Sequence, residues 1–213
     1  LRERPAVTPA DPLAVSALLA ESVRARGVER LLTLDRDAEE AMGRVATLRR
    51  VMPELDLPDL SSLDALLDTL CAGRRSVAEL RKASVADAVL AALSWEHRRA
   101  LDRFAPERMG VPSGSTVRLQ YDRSGATAPV LPARIQQVFG WMQTPRIADG
   151  RLPVLLHLLS PGGRPAQVTQ DLASFWANTW SEVRKDLRGR YPRHAWPEDP
   201  SEAIPEDRPR RRR

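Results

Sequence analysis

The sequence predicts an α+β fold, in which an N-terminal helical bundle is followed by a small antiparallel sheet covered by a long C-terminal helix. Three observations carry this. Apolar residues recur at helical spacing up to about residue 104; from Val111 onward they alternate; and Leu172, Phe175, Trp176, Trp180, Val183 and Leu187 return to one helical stripe. The 213 residues, 42% hydrophobic and 29% charged, suffice for one large or two modest domains and exclude a wholly disordered chain.

Asp11-Pro12 is a helix start, a carboxylate cap followed by proline where a missing N–H costs nothing. Leu13, Ala17, Ala20 and Val23 follow, and Gly27 ends the run. A second helix is expected over 36–52, with an apolar stripe from Ala38 to Met52 and a stop at Pro53. Ser61 with Asp64, Ser76 with Glu79 and Ser84 with Asp87 resemble capping boxes ahead of short helices. A last helical segment, Trp95 to Phe104, ends before Pro106, and His97 within it reads as a surface residue. The acids lie opposite the apolar stripes and fit a solvated face.

In the second half, Val117, Leu119 and Tyr121 mark a half-buried strand, and Asp122–Gly125 supplies a turn. The prolines flanking Pro129–Ala133 confine it to a sheet edge. Leu152–Leu159, apolar on both faces, is the expected central strand, and 165–169 returns from the turn at 161–164 to form a hairpin. Asp171 starts the long helix and Gly189 ends it. Beyond it, RYPRHAWPEDP reads as an extended surface segment, and 201–213 as a disordered Arg-rich tail.

Several chemistries are excluded. Neither lysine, Lys82 nor Lys185, follows a glycine, so a P-loop is absent, as is a G-x-S-x-G elbow. The single Cys71 rules out an intramolecular disulfide and a multi-cysteine zinc site, and fits a reducing, cytoplasmic compartment. Three isolated histidines make a poor metal site, so no metal is expected. The longest apolar run, 153–159, is too short to cross a bilayer. His157 is either a general base beside Asp171 or a core histidine satisfied by a hydrogen bond.

The formal charge is +5, with 31 of the 33 basic residues arginine, a skew that fits a genomic composition bias. Its distribution is uneven. Residues 1–104 sum to −1 and residues 105–213 to +6. The basic half interleaves Arg118, Arg134, Arg146, Arg151, Arg164, Arg188, Arg190 and Arg193 with Tyr121, Trp141, Tyr191 and Trp196. Arginine for phosphates and aromatics for bases is the chemistry a single strand requires. The candidate nucleic-acid-binding residues are Arg118, Arg134, Arg188, Arg190, Arg193, Tyr191 and Trp196; the alternative is an Arg-rich surface with its tryptophans in the core or a seam.

The runs LDRFAPER (101–108), VPSGS (111–115), PVLLHLLSP (153–161), QVTQDLASFW (167–176), EVRKDLRGRYP (182–192) and HAWPEDP (194–200) resemble the C-terminal region of HrpB, a family of bacterial ATP-dependent DExH-box helicases. Where that family tends to have Lys-His-Pro, this chain has Arg193-His194-Ala195. The resemblance implies a longer parent with two RecA-like motor domains upstream. ATP and Mg2+ belong to those domains, so no cofactor and no catalytic residue is expected in this segment. The opening residues, 1–10, then read as the exit from a preceding domain, 11–104 as the helical bundle and 105–200 as the HrpB-type C-terminal α+β domain. The expected role is a non-catalytic accessory region that contributes nucleic-acid binding, with single-stranded RNA or DNA and the parent's own helicase core as partners. The alternative is a docking module that contacts the motor domains or another protein. An independent hydrolase using His157 and Asp171 is the weakest reading.

Overall fold

Asp11 caps the first helix, its carboxylate accepting from Leu13 N at 3.1 Å, in a computed structural model that describes residues 11–207. The helical half holds α1 (Pro12–Arg26), α2 (Val28–Leu31), α3 (Arg36–Val51), α4 (Leu67–Cys71), α5 (Val77–Leu80), α6 (Val85–Ala91) and α7 (Trp95–Phe104). Serine caps do what their spacing predicts at α5 and α6, where Ser76 and Ser84 accept from Glu79 and Asp87 N at 3.2 and 3.1 Å. Ser94, which the sequence reading did not single out, caps α7 by accepting from His97 N at 3.1 Å. Ahead of α4 the acceptor is Ser62, not Ser61, taking Ala65 N at 3.3 Å into a 3₁₀ turn over Asp64–Leu66.

The second half holds β1 (Arg108–Gly110), β2 (Thr116–Arg118), β3 (Val130–Arg134), β4 (Arg146–Ile147), β5 (Leu152–Pro153), β6 (Leu155–Leu159) and β7 (Pro165–Thr169). The α+β class holds, with one difference within it. The main sheet, ordered β3-β6-β7, is mixed: β7 runs antiparallel to the central β6, but β3 runs parallel to it, Leu131 opposite Leu156. The parallel pair is possible because the link from Ile135 to Val154, carrying the β4–β5 ribbon, is long enough for a crossover. β3 keeps the edge position that Pro132 demands.

The long C-terminal helix is α8 (Leu172–Ser174), a π turn over Phe175–Thr179, and α9 (Trp180–Arg190). The wide turn lets residues five apart share a face, so Phe175 and Trp180 meet edge to face at 6.3 Å between ring centres. Phe139 and Trp176 complete this buried aromatic cluster. Each of three indoles donates to a loop carbonyl: Trp176 to Trp141, Trp180 to Pro197 and Trp196 to Tyr191, at 2.7–3.2 Å. The segment after α9 is thereby pinned to the helix.

One continuous apolar core runs from Leu19 in α1 to Leu187 in α9, and α3 joins the halves. Gly43 of α3 lies against the backbone of Asp122, and Gly125, at φ +65°, against Ala46 and Thr47. Around these contacts Arg44, 3% exposed, donates to Ala105 O at 2.7 Å, Glu107 at 2.9 Å and Asp102 at 3.0 Å. Arg118 of β2 pairs back with Asp37 and with Glu40, the latter 7% exposed. Glu40 is therefore not on a solvated face as its position opposite the stripe suggested. Arg50 donates to Gly125 O at 2.7 Å, and Arg151 pairs with Glu54 at 2.5 Å.

Candidate nucleic-acid interface

α9 exposes Ser181, Lys185 and Arg188 on one stripe, because residues four and three apart stack along a helix. Its last turn and the loop behind it form an open groove of about 1020 Å³, lined by Lys185, Arg188, His194 and Trp196 among others. Basic residues at a helix C-terminus also complement the partial negative charge there, which gives Arg188 and Arg190 a structural reason to be present.

The structure brings some of the sequence candidates together and separates others. Arg188, Tyr191, Arg193 and Trp196 surround the end of α9, with Arg188 and Arg193 exposed and Tyr191 and Trp196 half-buried. Arg190, also exposed, pairs with Asp186 one turn back at 3.1 Å. Trp196 stacks on Trp180, ring centres 6.1 Å apart at 27°, so one of its faces is occupied. Arg134, exposed at the end of β3, acts electrostatically on His194 and so borders the same region. Arg118 lies apart, engaged by Asp37 and Glu40 in the seam. Tyr121 is buried, donates to Pro106 O at 2.8 Å, and burial pushes its phenol well above the usual range.

Sequence reasoning missed Arg184 and Lys185. The i, i+4, i+7 pattern of Ser181, Lys185 and Arg188 was the available signal. Arg184 pairs with Glu198 across the groove at 2.9 Å and holds that carboxyl below its ordinary range, with a smaller pull from Arg188. Lys185, Arg188 and Arg193 enter no ion pair among the described residues.

His194 is held below its ordinary value of 6.5, chiefly by burial and further by Arg134, while Glu206 opposes the shift. It is thus neutral at pH 7. The folded state binds the proton less readily than the unfolded chain, so stability is full above about pH 6.5 and falls as the pH drops through the window just below it. A His194→Gln chain should lose that acid limb in urea titrations between pH 7 and 5.

Asp171 is committed to capping α8, its carboxylate accepting from Ser174 N at 2.9 Å. His157 stands on the half-buried face of β6, opposite Pro132 and Val168. Among the described residues there is no group of three or more His, Cys, Asp or Glu that could hold a metal ion, and no helix long and apolar enough to cross a membrane. Tail residues 208–213, with five arginines, lie outside the described residues, as does 1–10. Ser201–Asp207, expected as part of that tail, is tied down: Gln137 donates to Asp207 at 2.6 Å, and Glu206 N to Gln136 O at 2.9 Å.

Residues 66–200 match a family model described as the ATP-dependent helicase C-terminal region, HrpB_C. The chain is 34% identical over 211 residues to the ATP-dependent RNA helicase HrpB of Escherichia coli K12, covering 96% of this chain and 26% of that protein. Two crystal structures superpose on it. The E. coli DExH-box NTPase HrpB gives a TM-score of 0.83 at 31% identity, over 93% of this chain and 25% of that one. The E. coli DEAH/RHA helicase HrpB gives 0.72 at 30% identity, over 92% and 25%. The chain thus spans about a quarter of the relatives it matches. With the family model covering more than half of its length, the chain belongs to the HrpB helicase C-terminal family.

Proposed function

We propose that this chain is the non-catalytic accessory C-terminal region of an HrpB-type helicase, and that the groove at the end of α9 holds a single strand between strokes of the motor. The observation behind this is a set of cations outside ion pairs: Lys185 and Arg188 line one groove, Arg193 stands in the chain between its lining residues Pro192 and His194, and Arg134 acts on His194. ATP binding and hydrolysis, with Mg2+, are assigned to motor domains outside these residues, in the cytoplasm. The designation of the E. coli relative as an RNA helicase favours RNA over DNA as the strand held.

Such binding is electrostatic and indifferent to sequence. Four phosphate contacts predict a log–log salt slope of about −3 for a single strand, or roughly a 50-fold loss between 50 and 200 mM salt. Anisotropy titration of the chain with labelled oligo(U) and oligo(dT) measures this. Replacing Lys185 and Arg188 together by alanine should reduce the slope by about 1.4. Binding undetectable at about 50 mM salt excludes strand-holding. Affinity unchanged in the double variant, while the chain still associates with the motor domains, would identify a docking module instead.

A further inference from the structure

α7 buries Leu101 fully and leaves most of its length to solvent. At its start Trp95 is 68% exposed, an unusual position for the largest apolar side chain. Arg99, one turn on, lays its guanidinium over the indole, 4.6 Å from the ring centre. A further turn on, Arg103 lies over the ring of half-buried Phe104 at 4.9 Å. With Ala100 between them, these side chains line an open groove of about 630 Å³.

The charge of this groove is lopsided. Neither Arg99 nor Arg103 is in an ion pair among the described residues. Of its two carboxylates, Asp102 is taken by Arg44 at 3.0 Å, which leaves Glu96. We propose that this face of α7 is a second binding site for single-stranded nucleic acid, with a base stacked on the open side of Trp95 and phosphates on Arg99 and Arg103. The two arginines stand about 6 Å apart along the helix, comparable to the step between neighbouring phosphates on an extended strand. Arginine already laid over the indole costs little further ordering on binding. The proposal does not depend on the α9 groove.

The test uses the 213-residue chain with labelled 12-mers of oligo(U) and oligo(dT). In a chain already carrying Lys185→Ala and Arg188→Ala, Trp95→Ala should weaken the remaining binding by about tenfold or more, and Trp95→Phe should retain most of it. Arg99→Ala and Arg103→Ala should each flatten the salt slope by about 0.7. In the unsubstituted chain, bound strand should shield the iodide-quenchable tryptophan emission, and the Trp95→Phe chain should lack that component. Unfolding curves check that the exposed substitution leaves the fold intact. Unchanged affinity on adding Trp95→Ala to the Lys185→Ala/Arg188→Ala chain overturns the proposal, as does loss of association with motor domains while oligonucleotide binding stays intact. The Lys185/Arg188 variant reports separately on α9, so either site can fail alone.

Discussion

An Arg44→Ala chain should unfold at lower urea concentration than the unsubstituted chain, with a loss of about 3–4 kcal/mol. Arg44 is 3% exposed and makes three charge-assisted hydrogen bonds, yet its carboxylate partners Asp102 and Glu107 are 77% and 62% exposed. Truncation therefore leaves the acids free to rehydrate. The larger cost lies in the void and in the Ala105 carbonyl, which loses its donor in a buried place. Asp102→Asn and Glu107→Gln keep an oxygen acceptor and should cost only about 1 kcal/mol each. Because Arg44 joins α3 to residues 102–107, both halves should still unfold in one transition in the unsubstituted chain. A loss below about 1 kcal/mol for Arg44→Ala would show that the seam does not hold the halves together.

Gly43→Ala should also destabilise, by about 2–3 kcal/mol, where the same change in an ordinary helix interior stabilises by about 1. A Cβ at Gly43 would stand 2.9 Å from the carbonyl carbon of Asp122 and closer still to its oxygen, and that neighbour is backbone, which cannot swing aside. Gly189 of α9 is the internal contrast: a Cβ there meets nothing within 4 Å, so Gly189→Ala should be neutral or stabilising. Opposite signs for two helical glycines in thermal melts would establish that α3 is held by contact with the Asp122 turn. A stabilised Gly43→Ala chain would refute it.

Much of this architecture was legible locally. Asp11-Pro12, the caps at Ser76 and Ser84, Pro53 after α3 and most of the central strand expected over 152–159 are written in neighbouring residues, although Leu152 and Pro153 pair with β4 instead. What escaped is what joins distant ones. Periodicity placed Glu40 on the polar side of α3, and only Arg118, 78 residues later, makes that side an interior. The parallel pairing of β3 with β6 left no trace because its crossover is a ribbon and turns, not a helix with its own pattern. The π turn hid inside a stripe that a regular helix also satisfies. At the candidate interface, composition found the arginines around the end of α9 but could not tell Arg188, exposed at the groove, from Arg118, engaged in the seam.

The seam has a consequence for how the molecule is made. Arg44 meets Ala105 after 61 further residues and Glu40 meets Arg118 after 78. At ribosomal speed these partners arrive on the order of ten seconds after α3 is synthesised. Until then Arg44 lacks all three of its acceptors and Glu40 has only Arg36 of its own helix, although α6, which packs on α3, is already made. Slow codons between Val51 and Ala105 would lengthen that interval, in which the buried place of Arg44 has no acceptors to offer.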